Sequence, residues 1–171
     1  MIPHLAFVLL LLAPQTTVHR HDPLNELEIT QLRDTAVEPE KRLKFYTQFA
    51  AARLTAIEEL RKDPKAEATE RPRKVHDLLE DFLTIYDELG DNVDNFNERK
   101  DDLRKPLRQV IVADQDFKRR LSILKDDLSP AEQRECQFII ATAVDSVSAG
   151  LKDHRELLQD HEAHPRPPKK D

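Results

Sequence analysis

Apolar residues recur at spacings of three and four along most of the chain, which is the pattern of helices with one buried stripe. The clearest run alternates strictly between four and three residues, as in helices that pack at shallow angles. Its members are Val75, Leu79, Phe82, Tyr86, Leu89, Val93, Phe96 and Leu103, with Lys100 as a polar exception. The pattern predicts an all-α fold, namely an elongated antiparallel helical bundle with coiled-coil-like heptad seams.

The same alternation continues past Pro106, although proline removes a backbone hydrogen bond inside a helix. Its later members are Leu107, Val110, Phe117, Leu121, Leu124 and Leu128, with Asp114 as a second polar exception. Because a loop usually resets the phase of such a pattern, we predict one long central helix over residues 72–127, kinked at Pro106. A helix-turn-helix at Pro106 is the alternative.

The acidic stretch around Gly90 resembles a calcium loop in composition. A loop of the EF-hand type needs oxygen ligands at positions 1, 3 and 5 and glycine at position 6. Counting from Asp87 places Leu89 third, and counting from Asp91 places Val93 third. We therefore predict a helix with a solvated acidic face, and a weak divalent-cation site is the alternative. The acids on that face are Asp87, Asp91, Asp94 and Glu98.

Two short stretches carry the S/T-x-x-E pattern of a capping box. In the first, Thr35 precedes Glu38. In the second, Ser129 is followed by a proline, which suits the first helical position, and by Glu132. Since the second box follows the preceding apolar run at once, the next helix must turn back antiparallel. Its predicted core face comprises Cys136, Ile140, Ala143, Val147, Leu151, His154 and Leu158.

The first residues differ from the rest of the chain because Leu5–Ala13 is an uncharged apolar run. It is too short to span a bilayer but has the length of a signal-peptide core. We expect a signal peptide over residues 1–20 with an uncertain cleavage site, a helical bundle domain over 21–160, and a disordered tail over 161–171. The protein is then exported, to the periplasm or the extracellular space. A first buried helix turn is the alternative for the apolar run.

Composition narrows the function further. The chain has 171 residues, 35% of them charged, a net charge of −6 and only two glycines. That balance gives no reason to expect nucleic acid as a partner, and no later segment is apolar enough for a transmembrane segment. A nucleotide-binding loop needs glycines that this chain lacks. We expect no enzyme, no catalytic residue and no cofactor.

Metal sites are not predicted either. His76 and Glu80 lie four residues apart and can share a metal, but such a pair is usually a surface contact. His19, His21 and Asp22 resemble an amino-terminal metal site only if processing exposes them. The single cysteine, Cys136, either cross-links two copies or is a small buried apolar residue, and its helical position favours burial.

A cluster of basic residues surrounds Pro106, and acidic residues are interleaved with it. We regard it as a possible docking patch for an anionic partner, with a salt-bridged helix surface as the alternative. The members of this basic patch are Arg99, Lys100, Arg104, Lys105 and Arg108.

The stretch Leu128–Gln133, "LSPAEQ", is similar to the LTxxQ motif of Spy-like periplasmic chaperones and stress adaptors. Serine replaces threonine, and the glutamine comes one place later. The resemblance covers six residues, and it implies a small exported helical protein that binds unfolded chains or a sensor protein.

These observations lead to two functional hypotheses. The first is a non-enzymatic helical interaction or scaffold protein of the cell envelope that binds another protein or a second copy of itself. The second is a periplasmic chaperone-like or stress-sensing adaptor. A chaperone requires an exposed apolar surface larger than a few hundred Å², whereas a scaffold buries its heptad seams.

Overall fold

The computed structural model describes residues 22–165, which form five α-helices and contain no β-strand. The helices are α1 (Glu26–Asp34), α2 (Pro39–Lys62), α3 (Arg71–Glu98), α4 (Arg104–Asp126) and α5 (Pro130–Ala163). The predicted all-α bundle is confirmed. Consecutive long helices run antiparallel, and α5, with 34 residues, extends about 51 Å at 1.5 Å per residue.

The apolar stripes of the four long helices meet in one core. At its centre Phe82 of α3 lies edge-on against Phe117 of α4, with 5.5 Å between ring centroids. Tyr86 stacks on Phe82 at 5.9 Å. Burying a large apolar side chain of this kind stabilises the fold by about 1.5–3 kcal/mol. The predicted heptad positions of α3 are all buried, and Ile85 is buried beside them.

The predicted continuous helix over residues 72–127 is wrong. α3 ends at Glu98 and α4 begins at Arg104, so Pro106 lies in the first turn of a new helix. The phase of the pattern misled the prediction, because Phe96 and Leu103 are both buried and seven residues apart. A turn of this length therefore preserves the heptad spacing, although the chain reverses direction between them. The helix-turn-helix alternative is correct.

The α3–α4 turn has a defined geometry. Lys100 adopts the left-handed conformation with φ of 61°. Its N–H donates to the carbonyl of Asn97 at 2.9 Å, and the N–H of Asp101 donates to the carbonyl of Phe96 at 3.0 Å. These two bonds form the Schellman motif that ends many helices. The polar exception at Lys100 therefore marked the helix end.

The four long helices form two hairpins, α2–α3 and α4–α5, which pack with α3 against α5 and α2 against α4. The helices α3 and α5 run parallel. The Cys136 thiol donates to the carbonyl of Pro72, and His161 contacts Asn97 near the other end, with 64 residues between the partners of each pair. The two helices therefore keep one register along their length.

The contact between α2 and α4 is also parallel. Lys105 forms an ion pair with Glu40 near the start of both helices, and Arg120 pairs with Glu58 near their ends. Direct contacts between α3 and α4 therefore cross the bundle diagonally through the core.

The short helix α1 packs on α2 through two arginines. Arg53 forms an ion pair with Glu28 at 2.6 Å, and both side chains are largely buried. Arg42 donates to the carbonyl of Leu32 at 2.5 Å and to the Asn92 side chain on α3. Burial raises the pKa of Glu28, but the hydrogen bonds from Arg53 and from the N–H of Asn25, together with the charge of Arg53, outweigh it and leave the pKa below its usual value. α1 is thus held by charge as well as by apolar contact.

One of the two predicted capping boxes forms. Ser129 accepts from the N–H of Glu132 at 3.3 Å, and the Glu132 carboxylate accepts from the N–H of Ser129 at 2.9 Å. The box predicted at Thr35 and Glu38 is wrong. The Thr35 hydroxyl instead donates to the carbonyl of Gln31 at the end of α1, because the chain there is finishing one helix before it starts the next.

The helical bundle extends beyond its predicted C-terminal limit at residue 160. The predicted signal peptide, residues 1–20, lies outside the described residues. α5 continues to Ala163, into the segment predicted as a tail from residue 161. His161 is buried because its ring sits against the α3–α4 turn. The N–H of Leu103 donates to Nδ1 at 3.4 Å, and Nε2 contacts the Asn97 side chain at 3.1 Å.

Candidate functional site between α3 and α5

A buried polar trio links three helices beneath the surface of α3 and α5. Asp114 of α4 is fully buried. One of its oxygens accepts from the Tyr86 hydroxyl at 3.0 Å, and the other contacts Nδ1 of His154 at 2.8 Å. Because an ionised carboxylate can only accept, Nδ1 carries the proton and donates to it. The trio thereby satisfies a carboxylate that would otherwise be costly to bury.

Tyr86 acts only as a donor in this trio. Burial, together with the charge of Asp114, raises the pKa of Tyr86 above its usual value. The hydroxyl therefore stays protonated and keeps its hydrogen bond to Asp114. Its oxygen also fixes the distance between α3 and α5, because a Cβ at Gly150 would overlap it.

A groove of about 510 Å³ opens above the trio, between α3 and α5. Tyr86 and His154 line it, and so do Gly90 and Gly150, which are the two glycines of the chain. Gly150 is required there by the Tyr86 hydroxyl. A Cβ at Gly90, by contrast, would meet no atom within 4 Å. The two glycines leave the middle of the groove without side chains.

The walls of the groove are acidic. Its carboxylates come from the stretch of α3 that resembled a calcium loop and from one position on α5: they are Asp87, Asp91, Asp94 and Asp153. All four are exposed, and within residues 22–165 none has a hydrogen bond or an ion-pair partner. Partial burial, and then the nearby charge of Asp91, raise the pKa of Asp87. These carboxylates therefore concentrate unneutralised negative charge over the groove, and we call them the groove carboxylates.

His154 is the buried polar group at this site. The ring is 94% buried, since its exposed fraction is 6%. Nδ1 is taken by Asp114, whereas Nε2 has no hydrogen-bond partner in the described part of the chain and is not sealed from solvent. A neutral imidazole with its proton on Nδ1 offers Nε2 as an acceptor. The groove thus combines acidic walls with one directed acceptor.

The predicted helix over the calcium-like stretch is confirmed. Leu89, Val93 and Phe96 are buried in the core, and α3 is continuous through Gly90. The sequence did not indicate that the acids of this stretch line a groove with α5. The sequence did place two polar residues, Asp114 and His154, on predicted core faces. Buried polar side chains need hydrogen-bond partners, so a contact between these two was to be expected.

The structure brings the five residues of the basic patch to the end of the bundle at the α3–α4 turn. Lys100 is exposed at the turn and has no ion pair among residues 22–165. The other four are paired with carboxylates: Arg99 with Asp101, Arg104 with Asp102, Lys105 with Glu40 and Arg108 with Glu162. Docking of an anionic partner at this patch stays a prediction, and it must compete with those pairs.

One group of side chains in the described range has ligand atoms close enough to share a metal ion. His76, Asp77 and Glu80 lie on one outer turn of α3, with their ligand atoms within 4.8 Å of one another. The sequence had indicated His76 and Glu80, and the structure adds Asp77. The groove carboxylates are not among such groups in the described range.

Cys136 is a buried apolar residue. Its thiol donates to the carbonyl of Pro72 at 3.4 Å. Burial, and then the charges of nearby acids, raise the pKa of Cys136 to about 11. The thiol is therefore protonated at neutral pH and unreactive, and this disfavours a cross-link between two copies.

Comparison of the chain with models of protein families, with curated proteins and with solved structures finds no match. None of the helices within residues 22–165 has an apolar stretch long enough to cross a membrane.

Proposed function

We propose that this protein is a non-enzymatic interaction protein of the cell envelope that binds a positively charged protein segment in the groove between α3 and α5. One observation carries the proposal: four exposed carboxylates without a partner in residues 22–165 line a single groove, whereas several acids elsewhere on the bundle are neutralised by arginine or lysine. Examples are Glu28, Glu58 and Asp102. Unneutralised carboxylates on both walls of a groove attract a cationic segment and orient its approach.

The non-enzymatic part rests on the surroundings of His154. An oriented Asp–His pair is able to activate a nucleophile when a hydroxyl or thiol lies within hydrogen-bond reach. Ser146 is the one hydroxyl on α5 that lines the groove. It lies eight residues from His154 on the same helix, about 12 Å along the axis. The groove therefore suits binding better than covalent chemistry.

A chaperone-like adaptor is the less favoured candidate. The large apolar side chains exposed among residues 22–165 lie singly on separate segments or turns: they are Leu27, Val37, Val112, Ile123 and Phe138. Single exposed apolar residues are normal on soluble proteins, and a surface for unfolded chains has to be contiguous.

Export is proposed from the apolar run Leu5–Ala13. Mass spectrometry of the protein purified from its native cells should give a mature N-terminus between Ala13 and His21. An intact Met1 on a cytosolic protein would rule out the envelope location while leaving the groove proposal standing.

Binding is tested with a lysine-rich octapeptide carrying a fluorescent label, titrated with the protein at low and at physiological salt. The variant Asp87→Asn/Asp91→Asn/Asp94→Asn should bind at least about tenfold more weakly, and the wild-type affinity should fall as salt screens the groove. A matched control, Asp34→Asn/Glu59→Gln/Asp126→Asn, removes the same charge from exposed positions outside the groove. Equal weakening by both variants would reject the groove as the site.

A further inference from the structure

We infer that the groove is selective for primary ammonium groups, such as lysine side chains, because Nε2 of His154 accepts one of their N–H bonds. This inference rests on the proposed function, since it names the cation that the groove takes. It joins two separate observations, the groove carboxylates and the oriented acceptor beneath them.

The acceptor is fixed by the buried trio. Asp114 accepts from Nδ1 of His154 at 2.8 Å and from the Tyr86 hydroxyl at 3.0 Å. With both carboxylate oxygens engaged, the ring has little freedom to turn, and its proton stays on Nδ1. Nε2 therefore presents a lone pair, and a polar atom this deeply placed gains from a donor that reaches it.

The spacing of the carboxylates favours an extended cation over a metal ion. Asp87 and Asp91 are one helical turn apart, about 6 Å along the axis, and Asp94 lies about 4.5 Å further on. In the described residues, only one group of three or more His, Cys, Asp or Glu residues, the group at His76, has all its ligand atoms within 4.8 Å of one another. A chain that carries several charges matches the groove better, and Gly90 and Gly150 leave room for it.

The type of cation follows from the N–H donors that each cation carries and from the side chains that line the groove. An ammonium is compact and has three donors, so it can bond Nε2 of His154 and a groove carboxylate together. A guanidinium is a planar fork that suits one carboxylate in a bidentate pair. A quaternary ammonium has no N–H and is bound by aromatic faces, but Tyr86, the one aromatic residue in the lining, has its ring stacked on Phe82.

The test compares two labelled octapeptides of equal charge, one of lysine and one of trimethyl-lysine, on the wild-type protein. The lysine peptide should bind at least about fivefold more tightly. His154→Asn keeps a side-chain N–H for Asp114 but removes the Nε2 edge, so the two peptides should bind this variant equally. His154→Gln is a second variant that offers an acceptor near the Nε2 position and should recover part of the preference.

The outcomes separate the inference from the function on which it rests. Equal binding of both peptides to the wild-type protein, still dependent on the groove carboxylates, would overturn the ammonium inference alone. Failure of both peptides to bind would overturn the proposed function. Spermidine, titrated in parallel, distinguishes a free amine from a protein segment: tighter binding of spermidine than of the lysine peptide would support the ammonium inference and overturn the protein partner. If a His154 variant does not fold, the nitrogen NMR shift of Nε2 in the wild-type protein decides, since it must move when the lysine peptide binds and stay when trimethyl-lysine binds.

Discussion

The hydroxyl of Tyr86 lies directly against the backbone of Gly150, so that α3 and α5 approach each other at the one position on α5 that has no side chain. The same hydroxyl donates to Asp114 in the core. The glycine is therefore needed for space rather than for backbone flexibility, since Gly150 lies inside a regular helix.

Gly150→Ala should lower the free energy of unfolding by about 1–3 kcal/mol, because the added methyl displaces the Tyr86 hydroxyl in a packed core. Gly90→Ala is the matched control. It adds the same methyl in open space and should raise stability by about 0.5–1 kcal/mol, since alanine favours the helix. Urea unfolding followed by circular dichroism measures both. Changes of the same sign would show that the contact at Gly150 has been misinterpreted.

Lys100→Gly should raise the free energy of unfolding by about 1 kcal/mol. A residue with a side chain pays a steric penalty in the left-handed conformation, and glycine does not. Lys118→Gly, at an exposed position inside α4, should lower stability by about 1 kcal/mol instead. Thermal unfolding of the two variants provides the comparison, and a loss of stability in Lys100→Gly would contradict the turn geometry.

Pro106→Ala should change stability by less than about 1 kcal/mol. Pro106 is the third residue of α4, where the backbone N–H has no partner within the helix, so alanine restores no hydrogen bond. A proline in the middle of a continuous helix would behave differently, and its removal would add about 3 kcal/mol. Chemical denaturation distinguishes the two, and the larger gain would argue for an unbroken helix from α3 to α4.

Glu132 should make stability depend on pH. Burial raises the pKa of Glu132, but hydrogen bonds from Ser129 and Arg61 outweigh it, so the folded-state pKa lies below 4.5. A depressed folded pKa stabilises the protein above pH 4.5 and loses that contribution as the pH falls through the folded value. At pH 7, Glu132→Gln should cost about 1–2 kcal/mol, and the difference from the wild type should shrink in acid.

The control for this prediction is Glu156→Gln, which removes an exposed ion pair with Lys152. It should change stability by less than about 0.5 kcal/mol at any pH. Melting temperatures between pH 3 and 7 test both variants. A gap between wild type and Glu132→Gln that widens as the pH falls would have the wrong sign.

Much of the bundle was predictable because the residues of each buried stripe lie within one helix, at spacings of three and four in the sequence. The heptad run from Val75 to Phe96 and the capping box at Ser129 depend on neighbours within a turn or two, and both predictions are confirmed. The break between Phe96 and Leu103 was missed for a physical reason. The periodicity records which residues are buried, but it does not record the direction in which the chain runs.

The groove was not predictable, because it depends on how two distant helices are aligned. Asp91 and Asp153 read as ordinary solvated acids on separate helices. Only the parallel register of α3 and α5 brings them to one groove, with His154 beneath. The polar residues Asp114 and His154 on core faces indicated a buried polar contact. The hydrophobic periodicity alone does not identify which buried polar side chains form hydrogen bonds with each other.

The turn from Arg99 to Leu103 has a consequence for protein concentration. It is the only covalent link between the α2–α3 and α4–α5 hairpins, which hold each other along two parallel faces. As separate chains, the hairpins would associate in a bimolecular reaction and come apart on dilution. A short link instead keeps each hairpin at an effective concentration of about millimolar for the other. The fold, and the groove formed between α3 and α5, therefore persist however few copies of the protein a cell contains.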